Sequence, residues 1–250
     1  MLNDFLRGLR SYSQALDIMS RYRLWSYMLI PSLISLVLGA VAIGLAIGYA
    51  DDLGSLITGY YPWEFGRGVV EAAAAVVSGL LMVVVFLLLF KYIVMVIVAP
   101  FMGMLSEQIE SKMTGSPAPA FQLGQMLADV WRGLRVALRN LFREIGLTLV
   151  ITLLGFVIPV VGNLISAALI FVVQAYFAGF GNMDYTLERK RYGLQDSVAF
   201  VRQHRWLAIG NGSLFVLMLL VPILGVLVAP ALGTASATLL SLERMKQSST

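Results

Sequence analysis

Two long runs without a charged residue constrain the fold of this chain most strongly. They cover residues 145–183 and 206–242. A helix needs about 20 apolar residues to cross a bilayer, so each run is too long for one span and marginally short for two. Non-helical backbone at membrane depth is tolerated where protein or a wet cavity surrounds it. We therefore predict two helical hairpins, 145–183 and 206–242, that each enter and leave by one face of the membrane.

A Pro-x-x-Gly pattern interrupts both runs and marks the predicted turns. It occurs at Pro159 to Gly162 and again at Pro222 to Gly225. Repeated, interrupted apolar segments are typical of substrate paths in transporters. The alternative interpretation is two ordinary tight turns, and the pattern alone does not decide between them.

The first half of the chain is predicted to contribute two long transmembrane helices. Residues 24–50 contain no charge and form the predicted span 1. Span 2 is predicted over residues 67–114, with its end extending into the cytoplasm. Lys91 lies within it and either reaches the inner membrane boundary, as lysines near helix ends do, or faces a polar pathway.

Amphipathic segments precede and separate these apolar blocks. Residues 1–20 repeat apolar side chains at three- and four-residue intervals, which predicts an interfacial helix. Residues 121–144 form a second such helix with a basic stripe. The stripe consists of Arg132, Arg135, Arg139 and Arg143. It either contacts lipid headgroups or recruits an anion, because guanidinium groups match oxyanions.

Charge and composition support one membrane domain covering residues 1–250. The chain is 59% hydrophobic and 13% charged, whereas about a quarter of a soluble domain is charged. With both hairpins returning to one side, Arg67 is the only basic residue outside, in line with the tendency of Lys and Arg to stay in the cytoplasm. The basic pI then reflects cytoplasmic loops, and we expect no nucleic-acid partner.

No catalytic or metal-binding pattern is present in the sequence. The chain has no cysteine and a single histidine, His204, so thiolate and histidine-rich metal sites are excluded. Glu107 and Glu110 share one helix face and are predicted to pair with Lys112 or an arginine of the basic stripe. We expect neither enzymatic activity nor a cofactor.

Several motifs resemble one known membrane family. The most specific is the run from Ala99 to Glu110, which reads Ala-Pro-Phe-Met-Gly-Met-Leu-Ser-Glu-Gln-Ile-Glu. Supporting matches are the segments 129–132, 159–163 and 183–185. Together they resemble the family that contains the bacterial sulfate permease CysZ and the eukaryotic etoposide-induced protein 2.4, over roughly residues 5 to 242.

The resemblance implies an all-α, multi-pass bacterial inner-membrane protein with two long transmembrane helices and two half-penetrating hairpins. It also implies sulfate uptake for cysteine biosynthesis. Sulfate-binding members carry a tandem arginine before the proline of span 1, where this chain has Trp25 and Ser26. Arg21 and Arg23 lie a few positions upstream and are the predicted substitutes.

Two functions are therefore predicted as alternatives. The first is a permease for sulfate or a similar oxyanion, and the second is a membrane scaffold that binds anionic lipids or partner proteins; a homo-oligomer is compatible with both. Candidate substrate-binding residues are Arg21, Arg23, Glu107, Glu110, Arg132 and Arg135. Candidate pathway-lining residues are Asn163, Gln174, Asn211 and Ser213, which could instead hold helices together by hydrogen bonds.

Overall fold

A computed structural model describes most of the chain outside the predicted span 2. The described residues are 1–30, 32–34, 36–41, 44, 98–115, 123–157, 161–221 and 224–248. The second half of span 1, most of span 2 and Lys91 lie outside them.

The described ranges fold into α-helices joined by short turns and contain no β-strand. In chain order the helices are α1 Leu2–Arg21, α2 Ser26–Val41, α3 at 98–114, α4 Leu123–Val157, α5 Val161–Arg189, α6 Leu194–Gln203, α7 Arg205–Leu219 and α8 Leu224–Ser248. The all-α prediction is confirmed for this part of the chain.

Helices α4 and α5 pack side by side and are connected at the first Pro-x-x-Gly. The Ser166 hydroxyl donates a hydrogen bond to the Ile151 carbonyl at 3.0 Å. A Cβ on Gly155 would lie 2.9 Å from the Ser166 Cβ. These two helices therefore run antiparallel; that residues 145–183 turn inside the membrane stays a prediction.

Helices α7 and α8 form the second helical pair. The Gly225 N–H donates to the Val221 carbonyl at 2.8 Å across the turn. A Cβ at Gly225 would lie 2.7 Å from the carbonyl carbon of Met218. The second Pro-x-x-Gly segment thus requires glycine because the backbone of α7 passes close to it.

The basic helix and the first leg of the first hairpin are one continuous helix. The expected boundary between residues 144 and 145 lies inside α4, which has 35 residues and is about 52 Å long at about 1.5 Å per residue. Charge ends at Glu144, but Gly146 stays within the helix and the next proline in the sequence is Pro159. A change in polarity therefore does not coincide with a change in backbone structure.

Helix α1 is joined to α2 by a sharp elbow at residues 22–25. The two helices meet at 111°, and Arg23 adopts a left-handed conformation with φ of 55°. The Leu24 N–H donates to the Met19 carbonyl at 2.9 Å, which closes the turn.

The buried face of α1 packs on protein. Gly8, Tyr12 and Met19 are buried against α7 and α8, whereas Leu2 and Leu16 of the expected apolar stripe are exposed. The face of α1 that carries small residues is the buried one, because small side chains let α1 approach α7 closely.

Helix α7 lies at the centre of the bundle, between α1 and α5. All residues from 207 to 213 are buried. A Cβ on Gly212 would lie 2.6 Å from the Gly179 nitrogen of α5, and one on Gly8 would lie 2.6 Å from the Leu207 carbonyl oxygen. Glycines thus set the helix spacing on both sides of α7.

Large apolar side chains are exposed around the two hairpin legs. The set includes Leu147, Leu153 and Leu154 of α4, Leu164 and Leu169 of α5, and Leu217 of α7. Among the described residues, one stretch, Leu164–Arg189, is long and apolar enough to cross a membrane; α1 and α2 meet that criterion only as a bent pair. Exposed apolar area of this extent is typical of a surface covered by lipid or protein.

Candidate functional site

Ion pairs cluster at one end of the bundle, which we call the charged end. There the carboxyl ends of α3, α5 and α8 meet the first half of α4 and the start of α1. The pairs are Arg7 with Glu243, Arg244 with Asp4, Arg189 with Glu110, Lys190 with Glu110 at 2.6 Å, and Arg132 with Asp184 at 3.0 Å. The chain therefore returns to the same end after each hairpin.

A cleft of about 1020 Å³ opens at the charged end between α1, α3, α5 and α8. Two of the predicted substrate-binding residues, Arg21 and Glu110, line it. So do Lys190, which follows the first hairpin, and Lys246, which follows the second. The cleft is large enough for a hydrated small ion.

The cations of the cleft stand close to carboxylates. Arg21 lies 3.5 Å from Asp17, with both side chains more than half exposed, so water screens this pair strongly. Arg23 is exposed on the neighbouring elbow. Arg21 and Arg23 are thus both exposed to solvent near the junction of α1 and α2.

Glu110 pairs with helix α5 instead of the expected Lys112 or basic stripe. Its oxygens contact Arg189 and Lys190, because α5 returns beside α3. Burial alone would raise the pKa of Glu110, but hydrogen bonds and positive charge from Lys190 and Arg189 together hold it below its usual value. Burial raises the pKa of Glu107, opposed by Arg189 and reinforced by Glu110.

Arg132 is surrounded by protein groups from α5 and from the α5–α6 region. Its guanidinium donates to both Asp184 carboxylate oxygens at 3.0 and 3.1 Å and to the Ser197 hydroxyl at 2.6 Å. It also donates to the Tyr192 carbonyl at 2.8 Å. Glu188 lies 3.6 Å away. These contacts tie α4 to α5 and occupy the donors that an anion would need.

One face of the first half of α4 is exposed. Trp131, Arg135, Leu138 and Phe142 are all exposed, and their spacing of three and four residues places them on one helix face. Aromatic and basic side chains on an exposed face are typical of contact with the membrane interface. Arg132 and Arg135 therefore lie in different environments.

Asn211, a candidate pathway residue, is the centre of a buried hydrogen-bond network. Its side chain accepts from Asn182 of α5 at 2.9 Å and donates to Ser236 of α8 at 2.8 Å. Its carbonyl accepts from the Tyr12 hydroxyl of α1 at 2.9 Å. Asn211 thus links four helices, which favours the interpretation that it holds helices together.

Ser213, another pathway candidate, does not join this network. The Ser213 hydroxyl donates to the Ile209 carbonyl of its own helix at 2.7 Å. Gln174 is half-buried on α5, and Asn163 lies in the first turn of the same helix.

A second buried polar cluster was missed from the sequence. The Ser106 and Thr186 hydroxyls lie 3.1 Å apart, and Thr186 donates to Thr238 at 3.1 Å. Thr238 donates to the Thr234 carbonyl at 2.8 Å. The available signal was the density of small and hydroxyl residues at 233–238, which reads Gly-Thr-Ala-Ser-Ala-Thr.

No metal centre is found in the described ranges. Within them, no three His, Asp or Glu side chains are grouped to hold an ion.

Comparison with known proteins settles the family. The model of the family described as sulfate transporter CysZ/etoposide-induced protein 2.4 matches residues 11–230. This chain belongs to that family. The resemblance inferred from the sequence motifs is thereby confirmed. The family is one of membrane transporters, so the chain is a membrane protein.

Individual relatives carry the same description. A sulfate transporter CysZ from Pseudomonas fluorescens is 35% identical over 155 residues, which cover 60% of this chain and 59% of the relative. Another, from Pseudomonas paraeruginosa, is 28% identical over 236 residues, with 94% of each chain covered. The chain spans about three fifths of the length of the first of these relatives and nearly all of the second.

Proposed function

We propose that this chain is a multi-pass permease of the bacterial inner membrane that takes up a small oxyanion, with sulfate as the favoured substrate, for cysteine biosynthesis. Family membership carries the proposal, since the relatives are described as sulfate transporters. The charged end supports it, because a cleft with basic residues lies where both hairpins return.

Arg21 and Arg23 are the proposed first contacts of the ion. Arg21 lines the cleft, and Arg23 is exposed on the adjoining elbow. The family's sulfate-binding members carry their tandem arginines a few residues later in the chain. Glu110 contributes negative charge to the cleft. Arg132 holds α4 against α5, and Arg135 faces the membrane surface.

The test is sulfate flux into proteoliposomes made with the purified protein. Neutralising Arg21 and Arg23 together to Gln should abolish most of the flux, since a hydrogen bond to a charged group contributes about 1.5–3 kcal/mol. The matched control changes Arg10 and Arg191 to Gln. These arginines are also exposed, so the control removes the same amount of positive charge. Flux that survives in the first variant and falls in the control would contradict the assignment.

The exposed face of α4 supports a second candidate function, a scaffold that binds anionic lipid. Trp131, Arg135 and Phe142 present aromatic and basic groups outward, as a membrane-surface helix does. Wild-type protein that binds anionic vesicles but gives no sulfate flux above empty vesicles, under any imposed gradient, would favour this function over transport.

A further inference from the structure

Four arginines from three helices come together near the hydroxyl of Tyr176. Arg139 and Arg143 belong to α4, Arg202 belongs to α6, and Arg205 begins α7. All four lie close enough to act electrostatically on the Tyr176 hydroxyl, which α5 carries at a half-buried position. We call these five residues the arginine cluster. The cleft at the charged end is lined by other residues, so the cluster is a separate feature of the surface.

Helix packing holds the arginine cluster together. The Tyr176 ring meets the buried Phe180 ring edge-on, with 6.5 Å between the ring centroids. Tyr176 also packs against the core that contains Val136 of α4 and Val201 of α6. These two buried valines lie within one helical turn of arginines on their own helices. The tertiary fold therefore positions the arginines around Tyr176, and α4 alone could not.

The positive charge of the arginine cluster is not balanced by carboxylates in the part of the chain that the structure describes. The ion pairs found there involve other basic residues. Arg139 donates to the Asn140 amide oxygen at 2.9 Å, which is a neutral partner. Arg139 and Arg143 lie four residues apart and repel each other. Glu144 follows Arg143 in the chain but is fully buried, whereas Arg143 is exposed.

Two members of the cluster mark the boundary between polar and apolar sequence. Arg143 is the last basic residue before the charge-free run 145–183, and Arg205 directly precedes the run 206–242. The Arg205 guanidinium carbon lies 5.9 Å from the centre of the Trp206 ring. Tryptophan and tyrosine favour the depth of the lipid headgroups in a membrane. We therefore expect the cluster at the level of the lipid phosphates.

Exposed apolar side chains lead away from the cluster along α4 and α5. On α4 they follow Arg143, and on α5 they precede Tyr176, both at intervals of three and four residues that keep them on one helix face. These apolar strips consist of Leu147, Val150 and Leu154 on α4 and of Val172, Leu169 and Ile165 on α5. Because the two helices are antiparallel, both strips run in the same direction. At Gly146 an added Cβ would meet nothing within 4 Å, so the surface is open just below Arg143.

We propose that the arginine cluster binds the phosphate headgroup of an anionic phospholipid, whose acyl chains lie along the two apolar strips. Guanidinium groups match the geometry of a phosphate, and the Tyr176 hydroxyl adds one more donor. A free anion would meet the same arginines but would leave the apolar strips in water, which is unfavourable. The site is independent of sulfate transport. It also differs from the exposed α4 face with Trp131 and Phe142, because it selects one lipid through residues of several helices.

The experiment follows the unfolding temperature of the purified protein in detergent during titration with phosphatidylglycerol. This lipid should raise the unfolding temperature until the site is saturated, and phosphatidylcholine with the same acyl chains should not. Combining Arg143→Gln with Arg205→Gln should raise the apparent dissociation constant for phosphatidylglycerol about twenty-fivefold, since each basic residue near anionic lipid contributes about fivefold. The matched control combines Arg10→Gln with Arg191→Gln. It removes the same charge from other exposed positions and should leave the dissociation constant unchanged.

The same titrations contain the outcomes that would overturn the site. Equal weakening in the control variant would show diffuse attraction between a basic protein and anionic lipid. Equal stabilisation by phosphatidylcholine would exclude selection of an anionic headgroup, and equal stabilisation by sodium sulfate at the same concentration would show a site for a free anion. Without lipid, the Arg143→Gln and Arg205→Gln variant should unfold at the wild-type temperature or above it, because repulsion is relieved. A lower temperature would contradict the unbalanced charge on which the proposal rests.

Discussion

The close crossing of α5 and α7 gives a quantitative prediction for Gly212. A Cβ added there would lie 2.6 Å from the Gly179 nitrogen and 2.7 Å from the Ala175 carbonyl carbon, whereas ordinary contact begins near 3.4 Å. The Ala175 carbonyl oxygen lies closer still, so the backbones must separate by more than 0.8 Å, the difference between 3.4 and 2.6 Å. Overpacking of a filled core costs about 1–3 kcal/mol, so Gly212→Ala should lower stability by at least that much.

Gly146 supplies the control for this substitution. It also lies inside a helix, α4, but an added Cβ there meets nothing within 4 Å. Gly146→Ala should raise stability by about 0.5–1 kcal/mol, because alanine loses less backbone entropy in a helix. Thermal unfolding followed by circular dichroism in detergent compares the two variants. Equal unfolding temperatures would refute the argument that glycine sets the α5–α7 spacing.

Two further predictions concern the ion pairs. Arg132→Gln leaves Asp184 buried beside Glu188 without its cation, and should destabilise the protein by about 3–5 kcal/mol. Adding Asp184→Asn to this variant should restore part of the lost stability. Equal unfolding temperatures for Arg132→Gln and the wild type would argue against the ion pair. The pKa of Glu110 is lower in the folded protein than the ordinary glutamate pKa of 4.5 that applies to the unfolded chain. The ionised carboxylate therefore contributes its full stabilisation above pH 4.5. This stabilisation is lost as the pH falls through the lowered pKa. Acid unfolding profiles should show that Glu110→Gln removes this part of the pH dependence, and identical slopes for variant and wild type would exclude it.

The hairpin architecture was readable from the sequence because its determinants are local. Run length limits the number of spans, and Pro-x-x-Gly marks the places where each run turns. The continuity of α4 was not readable in the same way. Polarity changes at Glu144, but helix propensity does not, and only a turn residue would have ended the helix.

The contacts of the charged residues depend on how the helices pack, and the local sequence pattern around each residue does not reveal that packing. Glu110 meets Arg189 and Lys190, which lie 79 and 80 positions away in the sequence, whereas the predicted partners were Lys112 and the basic stripe. Spacing alone predicts that the arginines of the stripe share one surface. Contacts with α5 partly bury Arg132, whereas Arg135, three residues later, is exposed.

The return of both hairpins to one charged end is the central claim of this account, and cysteine accessibility in membrane vesicles tests it most directly. The chain contains no cysteine, so Lys190→Cys and Lys246→Cys report single positions, and Leu153→Cys reports the exposed apolar surface of α4. A membrane-impermeant maleimide should label positions 190 and 246 from the same side and leave position 153 unlabelled. Labelling of 190 and 246 from opposite sides would contradict the claim.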